Sequence, residues 1–120
     1  MTAVPVVFYA LPGCSGCRQA GEWLSRAEVP VVHRHIRRAP PTRAELADLA
    51  SRLPGGASDL LSRRSVRYRE LGLAGREPEG EPLLDLLARE PHLLRRPIVS
   101  DGRHTVVGFD RAGLATLRVQ

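Results

Sequence analysis

Apolar positions follow two different periods along the chain, and the changes of period mark the predicted elements. Residues 4–10 form a continuous β-branched and aromatic run, which is typical of a strand buried on both faces. After Pro12 and Gly13 the period becomes helical over residues 14–27, and residues 31–36 indicate a second strand. Because a helix of this length joins the two strands, we expect them to be parallel.

The middle of the chain has helical periodicity in three stretches. Thr42 and Glu45 form a capping box at the start of the first helix. A second helix is predicted over residues 59–71, because its apolar positions recur at helical spacing. Pro82 then opens a short leucine-rich helix. We therefore predict a helical insert over residues 41–91.

The last third of the chain predicts two strands and a helix. Residues 97–100 and 103–108 flank an Asp-Gly pair at 101–102, which is a strong hairpin signal. Asp110 then caps a final helix. The order β-α-β, helical insert, β-β-α is that of a thioredoxin or glutaredoxin domain. We predict an α/β (α+β) fold in one domain over residues 1–120, with a four-stranded mixed sheet and an inserted helical subdomain.

The composition indicates which ligands the protein can bind and in which compartment we expect it. The 18 basic residues outnumber the 13 acidic ones, and every basic residue is an arginine, whose planar fork suits oxyanions and carboxylates. Aromatic residues make up only 4% of the chain, so we expect no direct nucleic-acid binding. No apolar run is long enough for a membrane helix, and the run at residues 4–11 lacks the flanks of a signal peptide. We therefore expect a cytoplasmic protein with no membrane association.

Arginines are clustered in two parts of the sequence. A charge cluster is most often a solvated face, and docking of a protein partner or an anion is the alternative. The clusters comprise Arg34, Arg37, Arg38 and Arg43, and further along Arg63, Arg64, Arg67 and Arg69.

Cys14 and Cys17 stand where the first predicted strand meets the first predicted helix. Residues three apart in a helical turn lie roughly 5–6 Å from each other, within the reach of a disulfide. The helix N-terminus favours a thiolate at Cys14, and Arg18 adds a cation one turn further on. We therefore predict a redox-active pair in which Cys14 is the nucleophile and Cys17 the resolving thiol.

Two other uses of the cysteine pair stay open on the residues alone. A zinc site needs four ligands, but the chain has only two cysteines, and His33 and His35 are separated by a single residue. A structural disulfide is the other alternative, and it is disfavoured in a reducing cytosol. We expect no metal and no cofactor.

Four segments together resemble the arsenate reductase (ArsC)/Spx family, and the resemblance covers nearly the whole chain. They are PGCSGCR at residues 12–18, LLSRRS at 60–65, YREL at 68–71 and LRRPIV at 94–99. The resemblance implies that Pro97 is a cis-proline packed against the Cys14 loop. It also implies that Arg96 faces the cysteine and holds a thiolate or an oxyanion there, the alternative being a solvated surface arginine.

At the positions that bind an oxyanion in arsenate reductases, the chain matches the family pattern only in part. Glutaredoxin-coupled arsenate reductases use one cysteine and three arginines, and here Cys14 and Arg96 match that pattern. Ser62 occupies the position of the first arginine, with Arg63 next to it, and the third position falls near Gly108. We therefore place Arg63 in the substrate or thiolate environment and expect little arsenate reduction.

The Cys-x-x-Cys pair and the SRRS segment are closer to Spx, a redox-sensing regulator that binds the C-terminal domain of the RNA polymerase alpha subunit. This resemblance implies a partner contact at Gly56, where helix termination is the alternative. The function implied is a glutaredoxin-like thiol-disulfide oxidoreductase or reductase. The alternatives are an Spx-like regulator and an arsenate reductase. Expected partners of the monomer are glutaredoxin, thioredoxin or glutathione as reductant, or the RNA polymerase alpha subunit.

Overall fold

The computed structural model of the protein describes residues 5–117, and no helix among them is both long and apolar enough to cross a membrane. Val4, which the sequence places in the first strand, lies outside the described residues. The elements are β1 (Val6–Ala10), α1 (Ser15–Arg26), β2 (Val31–His35), α2 (Arg43–Ser51), a first 3-10 helix (Gly56–Leu60), α3 (Val66–Glu70), α4 (Gly80–Arg89), a second 3-10 helix (Pro91–Leu93), β3 (Ile98–Ser100), β4 (Thr105–Val107) and α5 (Arg111–Thr116).

The four strands form one mixed sheet in the order β2-β1-β3-β4. β1 is parallel to β2, with Val6 opposite Val31, and antiparallel to β3, with Phe8 opposite Val99. β3 and β4 form an antiparallel hairpin. The predicted mixed four-stranded sheet and its parallel first pair are confirmed, and the two central strands carry the loops that form the site described below.

Each face of the sheet is covered by its own apolar core. One core packs α1 and α5 against the sheet and contains Val6, Phe8, Ala20, Leu24, Val99, Val106, Leu114 and Leu117. The other packs the inserted helices against the opposite face and includes Tyr9, Ile36, Leu46, Leu49, Leu60, Leu83, Leu87, Leu93 and Ile98. Burial of this apolar surface is the main term that holds the helices on the sheet.

Capping side chains set the start of α2 and α5, as their sequences predict. Thr42 accepts a hydrogen bond from the backbone N–H of Glu45 at 3.1 Å, and the Glu45 carboxylate accepts one from the N–H of Thr42 at 2.8 Å. Asp110 accepts from the N–H of Gly113 at 3.1 Å. These bonds satisfy amides that the first turn of a helix leaves without partners.

The continuous helix predicted over residues 59–71 is wrong. The first 3-10 helix ends at residue 60, and Leu61 then pairs with Leu94 in an isolated antiparallel bridge. The hydroxyl of Ser65 accepts from the N–H of Tyr68 at 3.1 Å and starts the separate helix α3. Strand-type pairing at Leu61 takes the backbone groups that a helix would need, so tertiary pairing overrides the helical spacing of the leucines.

The hairpin between β3 and β4 is shorter than its sequence predicts. One carboxylate oxygen of Asp101 accepts from the N–H groups of both Arg103 and His104 at 2.7 Å. Those amides are therefore absent from the strand ladder, and β4 begins at residue 105 rather than at 103. Gly102 has a φ of +88°, which a residue with a side chain rarely adopts.

Candidate active site

Cys14 lies at the exact junction between the loop after β1 and the start of α1. It is the N-cap residue of α1, and its Sγ accepts a hydrogen bond from the backbone N–H of Cys17 at 3.2 Å. A serine or aspartate oxygen commonly makes this bond at a helix start. Here a sulfur takes that place, so the helix N-terminus supplies both a hydrogen bond and its positive end to a thiolate.

The pKa of the Cys14 thiol lies below its ordinary value of 9.0. Burial acts in the opposite direction and raises it, because a desolvated thiolate is costly. The hydrogen bonds from Cys17 and the positive charge of Arg96 outweigh burial. Cys14 is partly exposed, so it combines thiolate character with access to solvent.

Cys17 has the opposite character. It is one helical turn further on, its exposed fraction is 5%, and it is a free thiol like Cys14. Burial first, and then its hydrogen bond to the Cys14 sulfur, raise the pKa of Cys17 to about 12. The pair is therefore asymmetric, with an accessible thiol of lowered pKa at the helix cap and a buried thiol of raised pKa behind it.

Pro97 packs against the cysteine loop, and the Arg96–Pro97 peptide bond is cis, as the resemblance implied. The contact is made through Gly16, the third residue of the Cys-Ser-Gly-Cys segment. A methyl group at Gly16 would lie 3.5 Å from Cδ of Pro97 and 3.8 Å from the carbonyl oxygen of Arg96. The start of β3 is thus held directly beside the start of α1.

Two cavities open on different sides of Cys14. The first, of about 420 Å³, is mainly apolar and is lined in part by both cysteines. It is lined by Phe8, Ala10, Leu11, Pro12, Gly13, Cys14, Cys17, Arg18, His33, Arg34 and His35. The ring of Phe8 lies against that of His33, with 5.6 Å between their centroids. Arg18, predicted to add a cation near the thiolate, borders this apolar cavity.

The second cavity, of about 550 Å³, is lined by arginines and reaches Cys14 but not Cys17. Its lining residues are Cys14, Leu61, Ser62, Arg63, Arg64, Leu94, Arg95 and Arg96. Arg96 therefore lines the same cavity as Cys14. The cavity forms where the loop before α3 crosses the chain segment before β3.

Arg63 lines this second cavity, but its guanidinium is already bound. It pairs with the carboxylate of Glu77 at 2.9 Å and donates to the hydroxyl of Ser58 at 2.7 Å. Tyr68 donates a further hydrogen bond to Glu77 and helps to fix that carboxylate. An incoming oxyanion would have to compete with Glu77 for Arg63.

Gly108 marks the third oxyanion position of arsenate reductases by resemblance, and its backbone conformation disfavours any residue with a side chain there. Its φ is +76°, and a Cβ at this position would lie 3.4 Å from Nη2 of Arg95. Arg95 therefore extends over the place that the sequence marked as missing a cation. The sequence does not single out Arg95, and its adjacency to Arg96 was the available signal.

Gly56 lines neither cavity. Its φ is +61°, and a Cβ would meet nothing within 4 Å. The backbone conformation at the start of the first 3-10 helix accounts for a glycine here. A partner that approaches this position would meet the backbone without a side chain in the way. The partner contact at Gly56 stays a prediction.

No group of three or more histidine, cysteine, aspartate and glutamate side chains within residues 5–117 is arranged to hold a metal ion. The two histidines considered for zinc, His33 and His35, lie on β2 and border the apolar cavity together with both cysteines. The groups that this site offers for chemistry are two thiols and the cations around them.

Comparison with known proteins gives a consistent set of relatives. The model of the ArsC family matches residues 9–117. The regulatory protein MgsR of Bacillus subtilis is 35% identical over 112 residues, which are 93% of this chain and 89% of MgsR. The global transcriptional regulator Spx of Streptococcus pneumoniae is 34% identical over 105 residues, which are 88% of this chain and 79% of Spx.

Solved structures with the same fold include proteins related to arsenate reductases. An ArsC family related protein from Bacteroides fragilis superposes with a TM-score of 0.85 at 30% identity, covering 97% of this chain and 99% of that one. The arsenate reductase of Vibrio cholerae superposes with a TM-score of 0.83 at 23% identity, again covering 97% of this chain and 99% of that one. At the latter identity the likeness concerns the fold alone.

Proposed function

Because the chain belongs to the ArsC family, we propose that it is a redox-active dithiol protein in which Cys14 exchanges disulfides and Cys17 resolves them. The observation that carries this proposal is the 3.2 Å hydrogen bond from the Cys17 amide to the Cys14 sulfur. This bond joins Cys14, whose thiol has a lowered pKa, to Cys17, whose buried thiol lies one helical turn further on. The reaction class is thiol–disulfide exchange, as in a glutaredoxin-like oxidoreductase.

The first step of the exchange is attack by the Cys14 thiolate on one sulfur of a substrate disulfide. A new S–S bond joins Cys14 to that sulfur, and the second substrate sulfur leaves as a thiolate. Arg96 stabilises the attacking thiolate before the bond forms. No net oxidation occurs in this step, because one disulfide replaces another.

The second step needs the thiolate of Cys17, whose proton passes to solvent. Cys17 attacks Sγ of Cys14 and releases the first substrate sulfur as a thiolate, so the substrate gains two electrons and the pair becomes a disulfide. The hydrogen bond to the Cys14 thiolate and its negative charge both raise the pKa of Cys17. Both contributions are lost once Cys14 is in a mixed disulfide, so the pKa of Cys17 falls when its thiolate is required.

Regulation of transcription is the second candidate, and the identity to MgsR and Spx favours it. In this proposal the same oxidation of Cys14 and Cys17 is a signal rather than a turnover. The proposed partner is the RNA polymerase alpha subunit, with Gly56 at the contact. In the enzymatic proposal the partners are glutaredoxin, thioredoxin or glutathione, which would act in the cytoplasm as reductants of the disulfide.

Kinetics with a neutral disulfide test the proposed chemistry. We would measure reduction of bis(2-hydroxyethyl) disulfide coupled to glutathione and glutathione reductase, for the wild type, Cys14→Ser and Cys17→Ser. Cys14→Ser should be inactive, and Cys17→Ser should accumulate a mixed disulfide that mass spectrometry detects. Equal reactivity of the Cys14→Ser variant and the wild type would overturn the proposal.

A pull-down separates the two candidate uses. The RNA polymerase alpha subunit is incubated with reduced and with oxidised protein, and with a Gly56→Arg variant. Binding that depends on oxidation and is lost in the variant would support the regulator. Turnover in the coupled assay without alpha-subunit binding would support the oxidoreductase.

A further inference from the structure

The arginine-lined cavity at Cys14 continues into a third cavity, of about 600 Å³, on the side of α3. Arg64 and Arg96 line both cavities and therefore join them. The third cavity is further lined by Arg37, Ser65, Val66, Arg67, Glu70, Glu90 and His92. We refer to the two joined cavities as the arginine groove. Cys14 lines one of its two parts and Val66 lines the other.

The arginine groove contains more cations than its own carboxylates can neutralise. Arg67 binds Glu90 through two hydrogen bonds, at 2.8 and 2.9 Å, and Glu70 at 3.4 Å, so both carboxylates of the groove are occupied. Among residues 5–117, no carboxylate forms a salt bridge with Arg37, Arg64 or Arg96. All three side chains are exposed.

The excess of unpaired guanidinium groups contrasts with the arginines outside the groove that make ion pairs. Arg34 is held by Glu45 at 2.9 Å, and Arg43 is held by Glu81 and Asp85. The two arginine clusters seen in the sequence are thus divided by the fold. Some members tie helices together, while Arg37 from one cluster and Arg64 from the other meet in the groove with their charges unmatched.

We propose that the arginine groove binds an acidic polypeptide segment of a protein whose cysteine exchanges disulfides with Cys14. This inference rests on the proposed function and names the substrate class of the same site. The guanidinium groups match side-chain carboxylates in geometry and charge. Val66, which is 60% exposed, lines the part of the groove beside α3 and provides an apolar contact for one side chain of the segment.

A polypeptide fits the lining of the arginine groove better than a nucleic acid does. The lining side chains include leucines and a valine but no phenylalanine, tyrosine or tryptophan. Binding of single-stranded nucleic acid relies on stacking of bases on such rings. The reactive sulfur at the other end of the groove also requires a partner that carries a thiol or a disulfide.

The chemistry follows the exchange already described. The acidic partner carries the disulfide that Cys14 attacks, and one partner sulfur leaves as a thiolate while the other joins Cys14. Cys17 then releases the bound partner, which departs as a dithiol, and Cys14 and Cys17 form the disulfide. Charge pairing in the groove raises the local concentration of the acidic partner at the sulfur and leaves the exchange step itself unchanged.

Three activated peptides test the proposal in the Cys17→Ser protein. Each carries one cysteine as its 2-thiopyridyl disulfide, flanked by glutamates, serines or lysines, and the release of thiopyridone gives the rate of attack by Cys14. We expect the glutamate peptide to react about tenfold faster than the serine peptide at low salt, and the lysine peptide more slowly than both. In an Arg37→Gln/Arg64→Gln variant the advantage of the glutamate peptide over the serine peptide should be lost.

The matched control is Arg103→Gln/Arg111→Gln, which removes the same charge from two exposed residues that line neither part of the groove. It should keep the preference for glutamate. Fluorescence anisotropy with the glutamate peptide, its cysteine replaced by serine, measures binding without any exchange, and a single-stranded oligonucleotide serves as competitor. Equal rates for the three peptides would refute acidic-peptide binding in the arginine groove. Binding of the glutamate peptide that Arg37→Gln/Arg64→Gln leaves intact, or tighter binding of the oligonucleotide, would refute it as well. Failure of all three peptides to react would instead refute the proposed thiol exchange.

Discussion

Arg96 lines the same cavity as Cys14, and its positive charge helps to lower the pKa of that thiol against the effect of burial. The two residues belong to the loops on either side of the contact between Gly16 and Pro97. The helix N-terminus acts on the same sulfur through the Cys17 amide. Two effects therefore stabilise one thiolate, and a substitution of Arg96 removes one of them while the backbone amide stays.

Replacing Arg96 by alanine should raise the pKa of Cys14 part of the way to its ordinary value. The substitution removes the cation but leaves the hydrogen bond from the Cys17 amide. Thiolate absorbance against pH, in a Cys17→Ser background, isolates the titration of Cys14. Arg103→Ala in the hairpin turn is the control and should leave the curve in place. If the two arginine variants titrate alike, Arg96 has no part in activating the thiol.

Mild oxidation should produce an intramolecular disulfide between Cys14 and Cys17. The two residues occupy one helical turn, and the sulfur of Cys14 already contacts the amide of Cys17. Mass spectrometry after treatment with diamide should show the loss of two hydrogens per chain and no dimer. Two thiols that remain free to alkylation after this treatment would contradict the prediction.

Arsenate reduction should be weak in the wild type. Ser62 and Gly108 stand at the positions of two expected arginines. Arg63 is bound by Glu77. Arg95 beside Gly108 donates to the carbonyl oxygen of Asp59. Each missing charge-assisted hydrogen bond is worth about 1.5–3 kcal/mol. A steady-state assay with glutathione and glutaredoxin measures the turnover.

Glu77→Gln provides a sharper form of the same test. The substitution removes the charge of the carboxylate that binds Arg63, which lines the cavity at Cys14. Arsenate should therefore be reduced faster than by the wild type, or should inhibit disulfide exchange more strongly. Glu22→Gln, at an exposed position on α1, gives the same change of net charge and should have no effect. Turnover in the wild type at the level of a dedicated arsenate reductase would show that other residues supply the anion ligands.

Glu45 should make the stability of the fold depend on pH at the acidic end. The hydrogen bonds from Arg34, followed by those from Thr42, lower its pKa from 4.5 to about 2, in spite of burial. A carboxylate with a depressed pKa stabilises the folded state above its unfolded value, and this contribution is lost as pH falls from about 4.5 to about 2.

Chemical denaturation of the wild type and Glu45→Gln at several pH values measures that contribution. The glutamine preserves a side chain able to cap α2, so the difference isolates the charge. The free energy of unfolding of the variant should be lower at neutral pH, and the two proteins should converge toward pH 2. A difference that does not change with pH would rule out the ion pair with Arg34 as its cause.

Local sequence patterns were enough to predict the sheet, α1 and the capping box of α2. Their signals are short-range, since a β-branched run, a cysteine at a helix start, or Thr42 with Glu45 each act within a few residues. The helix predicted over residues 59–71 failed because the bridge between Leu61 and Leu94 depends on a segment far along the chain. No periodicity within the segment reports such a bridge.

The cysteine pair could be predicted from sequence, but the charges around it could not be assigned. Arg63 and Arg64 are neighbours with the same residue type, yet one is bound by Glu77 and the other makes no ion pair among residues 5–117. The difference arises from the course of the loop that carries Glu77. The meeting of Arg37 with Arg64 likewise depends on how the insert packs, which single-sequence patterns do not encode.

The antiparallel pairing of β1 with β3 has a consequence for the time at which the reactive thiol arises. During synthesis the two cysteines leave the ribosome long before Arg96 and Pro97 exist. Until then the Cys14 sulfur has at most the helix N-terminus to stabilise its thiolate. The cation of Arg96 joins it only when β3 has paired with β1. Full sensitivity to oxidants thus depends on a segment that is synthesised well after the cysteines themselves.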